Sequence, residues 1–282
     1  MNVIKKILII LLVIIILVVS LVYDSIYVAP SRFNVRYETL TSASIPEQLN
    51  DINILYFTDL HYGNLMNGQR LYKLTKTIND LCPDVILFGG DLISDQSYDQ
   101  DQIDELTNAL ASLNAPLGKF AIYGEYYHQQ IDLVNNILYN ADFEVLANSY
   151  IRLRNKGSQS IIIAGIDCTI GNYDNVDLTF SNISSTSYNL ILAHTVDTCL
   201  KLPEDKCDYF IAGHTHGGQI NYFLNTTYKV EDATLAISGK HQINNSYIMD
   251  ISNGVGSIGS STRFLAYPEV VMYTLKTVDQ TQ

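Results

Sequence analysis

Apolar and polar positions divide this chain into three textures. The first is an unbroken apolar run: 7–22 is Ile, Leu and Val apart from Ser20, and counting 3–23 gives enough helix to cross a bilayer. The second texture alternates. Short β-prone runs at 52–57, 85–88 and 119–123 are separated by positions at helical spacing: Leu71, Leu74, Ile78 and Leu81 ending at Pro83; Ile103, Leu106, Leu110 and Leu113; Ile131, Val134, Ile137 and Leu138. Beyond Phe143 the third texture is mostly strand, at 144–146, 150–153, 161–164, 189–193, 209–212 and 270–275, with a Gly/Ser loop over 253–261. An early strand is expected near 33–37. Alternating β and α followed by mainly β predicts an α/β domain of two packed sheets with helices outside. The expected organisation is a short N-terminus at 1–6, an anchor at 7–23, a connecting segment at 24–50, one main domain at 51–278 and a tail at 279–282.

Four of the strand-like runs end in residues with metal-binding chemistry. The run 52–57 leads into Asp59 and His61, 85–88 into Gly90 and Asp91, 189–193 into His194, and 209–212 into Gly213-His214-Thr215-His216-Gly217-Gly218. In an extended strand alternate side chains share a face. That predicts Asp59 beside His61, and His214 beside His216. For His214 and His216 alone, two His that happen to be spaced by one in a Gly-rich turn are the plainer alternative. Four of the six His residues fall at these ends, however, and open α/β sheets collect ligands at the carboxyl ends of strands. An Asp/His set with no Cys suits Mn, Fe, Zn, Ni or Co. Six candidates exceed what one tetrahedral ion needs, and a carboxylate such as Asp91 can bridge two cations about 4 Å apart.

Composition narrows the partners. A formal charge of −12 argues against duplex nucleic acid or an anionic membrane surface as the main partner. Lys5 and Lys6 precede the apolar run and Asp24 follows it, and no small-x-small cleavage site is present. An uncleaved anchor with a cytoplasmic N-terminus and an extracytoplasmic main domain is therefore expected. The four Cys lack zinc spacing; Cys199 and Cys207 could pair in an oxidising compartment, the alternative being small buried thiols.

Asp59-x-His61, Gly90-Asp91, His194 and Gly213-His214-Thr215-His216, in that order, resemble the calcineurin-like metallophosphoesterases. The longer string 213–220, the stretch 251–256, and Arg263-Phe264 with Pro268-Glu269 resemble the membrane-anchored bacterial subgroup. The resemblance covers about 33–275. It implies a four-layer α/β/β/α sandwich of two mixed sheets, and hydrolysis of a phosphomonoester, phosphodiester or pyrophosphate bond by metal-activated water. It also implies two divalent metal ions, one held by Asp59, His61 and His216, the other by His194 and His214, with Asp91 bridging. Arg263 is expected either near the substrate's phosphate or in a surface ion pair. The substrate class is a phosphorylated small molecule or, because the chain is tethered, a lipid-linked phosphate.

One motif departs from the family. Where its members carry Gly-Asn-His-Asp/Glu, this chain reads Gly124-Glu125-Tyr126-Tyr127-His128. In one alignment Glu125 replaces the Asn that ligates the second metal and Tyr126 the His that protonates the leaving group. In another, Asn-His is deleted. A phenol of pKa about 10 is a poor acid. His128 is either a substitute acid or a surface His at a helix start. General acid catalysis contributes about 10²–10⁴-fold, so the loop implies a weakened phosphoesterase, the alternative being a metal-binding pseudoenzyme that serves as a ligand sensor or scaffold.

Overall fold

The structure, a computed structural model, describes residues 3–63, 65–125, 130–222, 225–226 and 229–278. The apolar run is a helix, α1 (Val3–Tyr23), with no buried residue. It passes through a π turn at Asp24–Val28 and a 3₁₀ turn at Ala29–Ser31 into β1 (Asn34–Ser42). The strand outruns the expected 33–37 because it pairs in parallel along its whole length with β14 (Glu269–Thr277).

The middle of the chain follows its hydrophobic period closely. β2 (Asn53–Phe57), α2 (Gly68–Asp80), β3 (Val85–Phe88), α3 (Gln100–Ala111), β4 (Lys119–Ala121), α4 (Ile131–Asn140) and β5 (Phe143–Val145) occur in that order. The side chain of Asn67 caps α2 by accepting from the Arg70 amide, and Asp99 with Gln102 forms a capping box on α3, which fixes where both helices begin. These strands form one mixed sheet in the order β1-β14-β2-β3-β4-β5.

The second sheet takes β6 (Ser149–Leu153), β7 (Ile161–Gly165), β8 (Asn189–Leu192), β9 (Tyr209–Ala212), β12 (Gly239–Ile243) and β13 (Tyr247–Ile251), ordered β12-β13-β9-β8-β7-β6. A small ribbon, β10 (Asn221–Tyr222) with β11 (Asn225–Thr226), stands apart.

Strand parity builds the layers. Leu55, Phe57, Ile86 and Phe88 face α2, α3 and α4, whereas Ile54, Tyr56, Val85 and Leu87 face Ile161, Ile163, Leu190 and Ile211 of the other sheet. On that sheet's outer face Ile162, Ile191 and Phe210 pack against Phe180, Val196 and Cys199. The expected four-layer sandwich is therefore present. Its fourth layer is thin: α5 (Val176–Phe180) and 3₁₀ turns, segments too short to carry a periodic signal. Arg36 on β1 ties the sheets together, meeting Asp250 of β13 at 2.9 Å and Glu269 of β14 at 3.3 Å. Asp250 also accepts from the Tyr209 and Tyr273 hydroxyls.

Parallel β2, β3 and β4 of one sheet, and β8, β9 and β13 of the other, all finish at one edge of the sandwich. The loops that follow those strands carry the site.

Candidate metal centre

Six side chains from four loops converge at that edge: Asp59, His61 and His216 in one triad, and Asp91, His194 and His214 in another. Within each triad the potential ligand atoms lie within 4.8 Å of one another. All six are buried, Asp59, His194 and His216 completely. Burying this many ionisable groups is costly unless charge is compensated inside the cluster.

The route by which they converge differs from strand alternation. β9 ends at Ala212, and His214 and His216 occupy left-handed backbone at φ 69° and 51°. Their imidazoles therefore go to different triads rather than to a shared face. Asp59, His61 and Asp91 are left-handed too, at φ 57°, 45° and 54°. Asp59 and His61 do share a triad, but tight turns put them there. Such backbone costs on the order of 1 kcal/mol or more per residue and persists where the surroundings over-determine it. Here the loops are laced together. The Asp59 amide donates to Gly90 O at 3.0 Å, the His61 amide to Asp91 O at 2.9 Å, and the Gly256 amide to Asp59 O at 2.7 Å. The His214 amide donates to both Asp59 carboxylate oxygens at 3.1 Å.

Asp91 lies between the triads. Its Oδ2 is 3.5 Å from His61 Nε2 and 3.2 Å from His194 Nε2. Gly124 makes room for it, since a Cβ at that position would sit 1.9 Å from Asp91 Oδ1. Across the centre, His61 and His216 bring their Nε2 atoms to 3.2 Å.

Second partners set the tautomers. His194 Nδ1 faces Gly89 O at 2.8 Å and His214 Nε2 faces Glu231 O at 3.0 Å. A carbonyl only accepts, so each of these nitrogens is protonated, and the opposite nitrogen faces inward, free to offer a lone pair when the ring is neutral. That is the arrangement outer partners give metal-binding imidazoles. An all-N/O donor set, two three-residue clusters and inward-facing nitrogens all fit divalent cations.

Electrostatics agrees with the geometry. Burial alone would raise Asp91, but His194, His61 and His214 outweigh it and hold the carboxyl below its usual range. Burial lowers His194, yet Asp91 and Asp59 overcome it and carry the imidazole up to about 10. Burial keeps His61 below its usual value, and burial with His194 takes His214 down to about 4. Burial with Arg263 lowers His216 further. Asp59 is raised, mainly by burial. Without a cation, then, the cluster balances its carboxylates with a proton centred on His194.

The remaining expected residues fall elsewhere. Arg263 is in neither anticipated place: it is fully buried, and its guanidinium donates to main-chain carbonyls of 216, 253, 256 and 266. A surface ion pair is excluded by that burial, and donors committed to carbonyls are not presented to a substrate. Glu125, half-buried, is in neither triad. Tyr126 and His128 lie outside the described residues. Cys168, Cys199 and Cys207 are buried free thiols, so Cys199 and Cys207 are not paired; Cys82 is exposed. Sequence reading missed the outer partners Gly89 O and Glu231 O, because carbonyls leave no side-chain signature. A cleft of about 470 Å³, lined by His61, Ser94, Gln96, Ser257 and Gly259 among others, opens beside the first triad.

The comparisons with known proteins bear on this arrangement. Residues 52–218 match the model of the calcineurin-like phosphoesterases, a stretch that contains all six side chains. The chain belongs to that family. It is 30% identical over 258 residues to the uncharacterized metallophosphoesterase YkuE of Bacillus subtilis, covering 90% of this chain and 89% of the relative. It is 25% identical over 231 residues to the UDP-2,3-diacylglucosamine pyrophosphatase LpxG of Chlamydia muridarum, covering 63% and 68%. A transmembrane protein with a metallophosphoesterase domain from Danio rerio is 22% identical over 255 residues, covering 82% and 55%.

Proposed function

We propose that this chain is a membrane-anchored, two-metal phosphoesterase. Asp59, His61 and His216 would hold one divalent cation, His194 and His214 the other, and Asp91 would bridge them. The observation that carries this reading is the position of Asp91 Oδ2, flanked by one imidazole from each triad at 3.5 and 3.2 Å. When bound, a cation pair supplies Lewis acidity at a phosphoryl oxygen and a hydroxide nucleophile near neutral pH.

The protein's own contribution is placement. Neutral His61, His214 and His216 offer lone pairs at no cost in deprotonation, and His194 gives up its proton as a cation takes over the balancing charge. The cleft beside His61 admits the phosphate, with Ser94, Gln96 and Ser257 as polar contacts for it. With the family's Asn-His absent from the 124–128 loop, turnover is expected to favour activated leaving groups.

We assign α1 as the anchor. Its 21 residues span about 32 Å at 1.5 Å per residue, against about 30 Å of hydrocarbon. Lys5 and Lys6 favour a cytoplasmic N-terminus and a domain on the outer face. An anchored domain suits a lipid-linked phosphate, and one relative bears the name of a pyrophosphatase acting on a diacylated sugar nucleotide.

The test is the full-length chain in detergent micelles, with Mn²⁺, on an aryl phosphate and an aryl phosphodiester. Metal-dependent release, lost in Asp91→Asn, is expected. Stoichiometric metal with no release from either substrate would favour the sensor or scaffold reading.

A further inference from the structure

Among the described residues Arg263 is the largest fully buried side chain, and no carboxylate lies within ion-pair distance of it. A guanidinium stays charged and has five donors but no lone pair. Taking it out of water is expensive unless every donor is engaged. The structure engages them all. Nη1 donates to His216 O at 2.7 Å and to Ala266 O at 3.1 Å; Nε donates to Ser257 Oγ at 3.3 Å. Nη2 donates to Asn253 O at 3.0 Å and to Gly256 O, and lies 3.1 Å from His216 Nδ1.

Two features separate this from an ordinary buried brace. First, the fork holds His216 by its main chain, Nη1 donating to His216 O at 2.7 Å, and packs Nη2 beside the ring. His216 Nε2 is thereby held facing His61 Nε2 and Asp59 Oδ1, 3.2 and 3.7 Å away. The same fork holds Gly256, whose amide donates to Asp59 O. Two of the three residues in the first triad are thus positioned through one side chain. Second, the Arg263 amide donates to Ser25 O at 2.9 Å, in the turn that ends the apolar helix. Ser25 is buried there, and Arg70 and Lys73 secure Pro30 O and Ser31 O just beyond it. One residue therefore joins the seat of the helix to the first triad.

We propose that Arg263 is a positioning residue for the first metal subsite, holding His216 and the Asp59 loop in register with the seated end of α1. This rests on the two-metal reading above. It makes the Asp59–His61–His216 subsite more sensitive to Arg263 than the Asp91–His194–His214 subsite.

The test uses the full-length chain in detergent micelles, comparing wild type with Arg263→Lys, which keeps the charge and loses the fork. Mn²⁺ titration followed by EPR separates a coupled ion pair from a single ion. The expected result is a ten- to hundredfold weaker affinity for one of the two ions, the range seen when an outer partner of a ligand is lost. The other affinity should be unchanged, kcat should fall and KM should hold. Two ions at wild-type affinity overturns the proposal, whether accompanied by a raised KM, which marks a substrate contact, or by a lower metal-free Tm alone, which marks a structural brace. Should Arg263→Lys fail to fold, Arg263→Gln, which keeps an amide donor and loses the rest of the fork, gives the same comparison. A wild-type chain that binds no Mn²⁺ defeats the two-metal reading itself, whereas equal affinities in wild type and variant defeat only the role of Arg263.

Discussion

Asp91 and Gly124 are where single atoms decide the outcome. Asp91→Asn keeps the shape of the side chain but removes the charge between the triads, and metal-dependent hydrolysis should fall by more than the 10–100-fold typical of losing an outer partner. A steady-state assay with excess Mn²⁺ checks this. Gly124→Ala should act at the same point without replacing a candidate ligand, because its Cβ would lie 1.9 Å from Asp91 Oδ1 and displace that carboxylate. Loss of metal with a folded circular-dichroism spectrum is the expected outcome. Titration gives a third prediction. In the metal-free protein His194 is raised to about 10, so its share of stability is complete below about pH 6.5 and is lost as pH rises through 10. His214, lowered to about 4, works the other way: it favours unfolding as pH falls below about 6.5. Metal-free Tm should therefore peak near pH 6–7. Metal affinity, by contrast, should rise with pH across that range, because binding displaces a proton from His194.

At the scale of elements, legibility followed periodicity. β3 and β9 begin and end where their apolar runs do, and α2, α3 and α4 lie on their leucine and isoleucine stripes. The site residues were legible as residue types at strand ends, but their geometry was not. His214 and His216 separate because both sit in left-handed turns, and turn backbone leaves little trace in a hydrophobic pattern. The thin fourth layer went unread for a related reason, since α5 and the 3₁₀ turns have too few residues for a period. Arg36 was illegible as a tie because its partners Asp250 and Glu269 lie more than 200 positions away. Breaking it should be costly: Arg36→Ala leaves the buried Asp250 uncompensated, and a loss of about 3 kcal/mol is expected in chemical denaturation of the metal-free chain.

The whole molecule joins an apolar helix to the candidate metal pocket through one short seat, and two tests follow. Cys82 is the exposed thiol among the four, so a membrane-impermeant maleimide should label it in intact cells if the domain lies outside. Protection of Cys82 until the cells are opened would reverse the proposed orientation. The central claim is that loops from two sheets bring two carboxylates and four imidazoles around a cation pair. Counting tightly bound transition metal per chain, on full-length protein loaded with Mn²⁺ and freed of excess, tests it most directly. The account predicts two ions per chain, with fewer in Asp91→Asn. A chain that retains none would contradict it.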